Sequence, residues 1–234
     1  MTVPGPYPDR YRPERCFLAD LDGDGRADLL YLDGHRVFVW MNRGADRFAA
    51  PIIIENLPVA DPDTVRLGDF LGHGTTGLLF SLRQSVRRGR AMRYVELNRG
   101  TKPYLLSRID NGVGGLTRIE YGYSTDHFVR DRENGAPWTT SLPFPVPVID
   151  RYIKTDVTTG TTLETEIRYH DRHFDSVRRK FVGFGRVEAI ERTAEESNTR
   201  VTLRTYSRGA REEAPALPVD HLPALAGHPL STEV

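Results

Sequence analysis

Apolar and polar residues alternate in short runs along most of this chain, and a period of two marks strands with one buried face. The pattern is clearest where Leu163, Thr165, Ile167 and Tyr169 interleave with Glu164, Glu166 and Arg168. Residues 148–156 are the expected partner strand, across a turn near Thr159-Gly160. Residues 29–32 and 36–40 flank Asp33-Gly34, a dipeptide that tolerates positive φ and favours a tight hairpin. Residues 104–109 and 116–123 flank Asn111-Gly112 and predict a second hairpin with a longer loop. In its second strand Thr117, Ile119, Tyr121 and Tyr123 share one face. Residues 181–192 and 199–207 predict a last hairpin, with 194–198 as its loop. No long stretch repeats apolar residues at helical spacing, so helix is expected to be nearly absent. Pro137, Pro143, Pro145 and Pro147 lack the amides a ladder needs, and residues 131–147 read as a loop. Residues 214–234 are Pro-rich, lose the alternation and read as a linker or disordered tail. The pattern as a whole predicts an all-β, antiparallel chain.

Lys+Arg and Asp+Glu both number 32 in 234 residues, so the formal net charge is zero. That balance gives no electrostatic case for nucleic acid or for an anionic membrane surface. Cys16 is the one cysteine, which excludes an intrachain disulfide and reads as a small apolar residue. No apolar run approaches the ~20 residues that span a bilayer, so direct membrane insertion is not expected. Residues 1–15 have no apolar core of a secretory leader, and the expected location is secreted, or cytoplasmic before release.

The sharpest motif is Asp20-Leu21-Asp22-Gly23-Asp24-Gly25-Arg26-Ala27-Asp28. Carboxylates recur at alternate positions and two glycines allow the chain to close around an ion. Ca²⁺ takes six to eight hard oxygen ligands, whereas Mg²⁺ demands stricter octahedral geometry. The expected ligands are the carboxylates of Asp20, Asp22, Asp24 and Asp28 and the main-chain carbonyl of Arg26, whose side chain would point outward. Tyr31 stands at the twelfth position in place of a glutamate, and a strand follows, so the loop is not an EF-hand. The plainer reading is a solvated Asp/Gly turn.

A second copy follows 49 residues on, near the length of a propeller blade. Asp69, Gly72, Gly74 and Leu78-Leu79 match Asp20, Gly23, Gly25 and Leu29-Leu30. The other carboxylate positions are occupied by Leu71, His73 and Gly77, so this loop is expected to keep the turn and lose the ion.

The Asp-rich loop resembles the FG-GAP/VCBS repeat, and Asn42-Arg43-Gly44 followed by Arg47-Phe48-Ala49 resembles the end of such a blade. Lys102-Pro103-Tyr104-Leu105-Leu106, Ile109-Asp110-Asn111-Gly112 and Thr117-Arg118-Ile119-Glu120-Tyr121 resemble the middle region of the TcdB/SpvB family. So do Trp138, the run from Leu142 to Val148, Arg168-Tyr169-His170-Asp171 and Gly183-Phe184-Gly185-Arg186-Val187-Glu188. In order and spacing the likeness spans roughly residues 15–210.

This resemblance implies FG-GAP-like propeller blades over 1–100, an antiparallel toxin-shell region over 101–210 and a tail over 211–234. It also implies a non-catalytic part of an insecticidal toxin-complex B component. With a C component, that protein forms a hollow β-rich shell around a toxic payload. Its propeller docks on a pore-forming A component. The match leaves the SpvB-like domain, most of the propeller and the shell repeats without counterparts here. The rival is a free-standing, calcium-dependent adhesion or recognition module.

Enzymatic constellations fail on spacing. His170 and His173 are three apart on a strand, where they would face opposite sides, and no third metal ligand follows, His127 included. Ser141, Ser176 and Ser207 lack a nucleophile elbow. Gly183-Phe184-Gly185 reads as a strand bend rather than a phosphate loop. Arg178-Arg179-Lys180 reads as a solvated edge.

Overall fold

The computed structural model describes residues 11–45, 47–59, 61–81, 91–98, 100, 102–139, 144–175, 179–193, 199–207 and 227–234. They form two compact units, Met1–Tyr104 and Leu105–Val234.

The first unit is built from short antiparallel strands. β1 (Cys16–Ala19), β2 (Asp28–Asp33) and β3 (Arg36–Trp40) form one sheet with β6 (Ile52–Ile54), in the order β1-β2-β3-β6. β4 (Asn42–Gly44) and β5 (Arg47–Phe48) make a small ribbon between them in sequence. β7 (Val65–Gly68), β8 (Gly77–Ser81) and β9 (Met92–Glu96) form a second sheet. Alternation explains why β2 and β3 are the central pair. Leu30, Leu32, Val37 and Val39 join Val65, Leu78 and Phe80 in one core, while Tyr31, Phe38 and Trp40 pack together in another. Burying such a side chain stabilises the fold by about 1.5–3 kcal/mol each.

The β2–β3 hairpin forms as its sequence predicts, with a shifted turn. Asp33 pairs with Arg36, so Gly34 and His35 are the central residues rather than Asp33-Gly34. Gly34 has φ +61 and His35 does not take positive φ, so one glycine at the first central position closes the turn.

The second unit is one seven-stranded antiparallel sheet. Its order is β10 (Arg108–Asp110), β11 (Gly115–Tyr123), β12 (Pro147–Asp156), β13 (Thr162–Asp175), β14 (Lys180–Thr193), β15 (Thr199–Tyr206) and β16 (Pro229–Glu233). The predicted pairing of residues 148–156 with 163–169 is present, with Lys154 opposite Leu163 and Tyr152 opposite Thr165. The Asn111-Gly112 hairpin is also present, but its first strand starts at Arg108, and Tyr104 lies outside it. The bend at Gly183 is a bulge, since the register shifts between His173 and Phe174 opposite it and Gly183 has φ +138. The loop over 194–198, Ser141, Ser176 and Arg178 lie outside the described residues.

Two expectations are corrected. Residues 131–147 are not all loop, because Ser124–Glu133 forms a helix, α1, that reaches into them. Its buried residues are Ser124, His127 and Asp131, so the helical face is present but polar and shows no apolar period. The chain end is not all tail either. Pro229–Glu233 adds the edge strand β16, with Leu203 opposite Glu233 and Thr205 opposite Ser231. All five of its residues are exposed, which explains why no in–out alternation marks it. An edge strand also tolerates Pro229, whose missing amide leaves no ladder bond unmade.

Candidate metal centre and its second copy

The Asp-rich loop joins β1 to β2, and its first residue shapes it. Asp20 Oδ1 accepts from the amides of Gly23 (2.7 Å) and Asp24 (3.2 Å), and Oδ2 accepts from Gly25 (2.9 Å). Asp69 repeats this in the loop between β7 and β8, accepting from Gly72 (2.8 Å), His73 (3.0 Å) and Gly74 (2.7 Å). The shared aspartate and glycines therefore encode a turn in both copies. Gly23 takes φ +75, a left-handed conformation that a glycine adopts without strain.

The copies part company at the remaining carboxylates. Carboxylate oxygens of Asp20, Asp22 and Asp28 all lie within 4.8 Å of one another, and this is the metal-ligand cluster found among the described residues. That spacing suits oxygens around one Ca²⁺, which sit 2.3–2.6 Å from the ion. Asp22 and Asp28 are only 5% and 1% exposed. Burial pushes the Asp28 carboxyl above its usual range, against the hydrogen bonds from Asn42 and Leu21, and the charges of Asp22 and Asp24 push the same way. Asp24 is not in the trio: its carboxylate pairs with the guanidinium of Arg26, whose side chain is half exposed. The donor set of three buried or half-buried carboxylates fits a hard divalent cation.

Several supports lie far from the motif. Asp28 accepts from the amides of Leu21 (3.0 Å) and Asn42 (2.7 Å), and Asn42 Nδ2 donates to the carbonyl of Ala27 (3.0 Å). Tyr104 donates its hydroxyl to Asp22 Oδ2 at 2.8 Å, and the Asn98 side-chain amide donates to the carbonyl of Leu21. In the second copy Gly77 stands where Asp28 would be. A Cβ there would meet the Tyr94 hydroxyl at 2.4 Å, so that ring fills the space of a side chain. His73 turns to Glu96, 3.2 Å away.

The second unit's histidines are also placed. His127 Nε2 lies 2.8 Å from Asp150, and Arg130 Nη1 lies 2.8 Å from His127 Nδ1. A guanidinium only donates, so Nδ1 accepts and the ring proton sits on Nε2, aimed at Asp150. His170 Nδ1 lies 2.7 Å from Asp131. Burial holds His170 below its usual range, outweighing the Asp131 partner. Asp131 also accepts from Trp138 (2.6 Å) and Arg130 (2.9 and 3.1 Å). Burial raises its carboxyl, but these donors outweigh it and the net direction is down. No described residue completes a nucleophile–base pair with either histidine.

No curated protein matches this chain. Among solved structures it is similar to the crystal structure of TcdB2-TccC3, with TM-score 0.76 and 24% identity, over 89% of this chain and 11% of that one. It is similar to the Photorhabdus luminescens Tc holotoxin pore with a mutated TccC3, with TM-score 0.76 and 25% identity, over 89% and 10%. For TcdB2-TccC3 without its hypervariable C-terminal region the values are 0.75 and 26%, over 89% and 10%. This chain thus spans about a tenth of the length of the structures it matches. Residues 42–212 match the insecticide toxin TcdB middle/N-terminal region, and the chain belongs to that family.

Proposed function

We propose that this chain is a non-catalytic scaffold segment of a toxin-complex B component. Its short sheets contribute blades to a β-propeller. Its seven-stranded sheet contributes to the shell that encloses a toxic payload and passes it on. The A and C components are the protein partners, and the segment leaves the cell with the assembly. The observation that carries this reading is the agreement of fold with TcdB2-TccC3 over 89% of the chain, together with the family match over residues 42–212.

The Asp-rich loop holds one Ca²⁺ in this reading. Asp20, Asp22 and Asp28 are the carboxylate ligands the geometry supports, and Asp24 and the Arg26 carbonyl complete the set. The ion stabilises a turn that otherwise buries like charges. In the second copy one aspartate and a tyrosine ring replace it.

Co-expression tests the scaffold role. The chain is produced with a B component from which the matching segment is deleted. A stable, co-purifying complex is expected. A folded chain that stays separate, and binds cell surfaces in a calcium-dependent way, points to the adhesion module instead.

A further inference from the structure

A cavity of about 500 Å³ opens in the second unit where the segment after α1 crosses the sheet. Its volume is in the range of small-molecule sites. One wall is apolar: Ala136, Pro137, Trp138 and Leu230. The floor comes from adjacent strands. Arg186 of β14 sits opposite His170 of β13, and Thr205 of β15 sits opposite Arg186, so three donor-bearing side chains stand in one cross-strand row. Tyr206 also lines the cavity.

The polar groups here divide by what already occupies them. The two carboxylates of the lining are engaged: Asp131 by Trp138, Arg130 and His170, and Asp171 by the amide and hydroxyl of Thr139 at 3.0 and 2.7 Å. Arg186 has no carboxylate in ion-pair reach among the described residues. Nδ1 of His170 is bonded to Asp131, so Nε2 is the ring nitrogen left for a ligand. The groups still open are therefore Arg186, a permanent cation, the Thr205 hydroxyl, and His170 Nε2, which accepts in the neutral ring and donates only once the ring is protonated. The larger hollow of about 820 Å³ at the hairpin ends is lined mainly by Thr, Gly and aliphatic residues and gathers no such set.

We propose that this cavity is a binding site for a small carboxylate on a compact apolar body, with Arg186 and His170 on the carboxylate and the Trp138 wall on the body. Arg186 supplies a charge-assisted hydrogen bond, and its guanidinium matches a carboxylate's two oxygens. His170 makes the site pH-sensitive. The charged groups that face it are Asp131 and Arg130 of α1 and Arg186 of β14, with Asp171 next to it in the chain. Protonating the ring adds a second positive charge beside Arg186, and a bound anion favours that form. Binding takes up a proton and strengthens as pH falls.

The test is isothermal titration of the full chain with benzoate, benzamide and inorganic phosphate at pH 8.0 and 5.5. Benzoate is expected to bind at one site per chain, more tightly at pH 5.5. Benzamide and phosphate are expected to bind at least about tenfold more weakly, because one lacks the charge and the other the apolar body. Arg186→Gln should weaken benzoate about tenfold at both pH values. His170→Asn keeps a donor for Asp131 and cannot be protonated, so it should bind at pH 8.0 and lose the gain at 5.5. The proposal is overturned if benzoate does not bind, if phosphate or benzamide binds as well, or if Arg186→Gln has no effect. The three wild-type titrations decide the matter even if a variant fails to fold.

Discussion

Replacing Asp131 by alanine removes the group on which α1 and the segment after it converge. The carboxylate is 4% exposed and accepts from Trp138 Nε1 at 2.6 Å, His170 Nδ1 at 2.7 Å and Arg130 at 2.9 and 3.1 Å. Arg130 is about a third exposed and can turn to water, whereas Trp138 is 9% exposed and its indole N–H cannot. An orphaned buried donor costs about 1–3 kcal/mol, and breaking a buried charge pair about 3–5 kcal/mol. With Arg130 able to rehydrate, the expected loss is about 3 kcal/mol, or roughly 10 °C in Tm for a unit of this size. Asp131→Asn keeps one acceptor and should lose about half of that. Thermal unfolding followed by tryptophan emission measures the loss, and hydrogen exchange locates it in residues 124–139. A loss under about 1 kcal/mol, or one spread over the first unit, refutes a helix held by this carboxylate.

Acid should loosen the same helix. His170 is held below its unfolded value near 6.5, so the unfolded chain binds its proton first. The stability is whole above that value and declines as pH falls through it. Asp131, also lowered, adds loss at more acid pH. Hydrogen exchange over residues 124–134, corrected for intrinsic rate, should show protection falling between pH 7.5 and 5; unchanged protection contradicts this. Gly122→Ala should destabilise the second unit by about 1–3 kcal/mol in urea unfolding. Its Cβ would lie 1.9 Å from Asp150, the partner of His127, and a neutral result would mean that Asp150 can move away freely. Calcium at a hundredfold excess over Kd should stabilise the first unit by about 2.7 kcal/mol. Asp22→Asn should abolish that shift, Asp24→Ala should reduce it less because Arg26 holds that carboxylate, and Asp69→Ala should leave it; a shift insensitive to Asp22 rules out this loop.

What the sequence disclosed follows from range. Strands announce themselves through neighbours two apart, so the β2–β3 and β12–β13 hairpins were legible from residues 29–40 and 148–169. The Asp-rich loop was legible for the same reason, since Asp20, Asp22 and Asp28 lie within nine residues. The helix was not, because its buried face of Ser124, His127 and Asp131 bonds to Val146, Asp150 and His170 rather than packing apolar surface. β16 was not, because an exposed edge strand has no inner face to print a pattern. The supports of the loop were out of reach as well. Asn42, Asn98 and Tyr104 meet it 14, 77 and 82 residues from their partners. Asn42 and Tyr104 did fall inside phrases that resembled the family, which is the signal that could have found them. The replacement of a carboxylate by Tyr94 over Gly77 needs the pairing of β8 with β9 before it can be seen.

The most direct test of the scaffold role is a segment exchange in TcdB2. Residues 42–212 of this chain replace the matching segment, and the chimera is purified with TccC3. Protease protection of the TccC3 C-terminal region then reports whether a closed shell forms. The account predicts a co-eluting complex whose TccC3 C-terminal region is protected as in unmodified TcdB2-TccC3. A chimera that folds and is soluble, yet leaves that region open to protease or fails to retain TccC3, contradicts it.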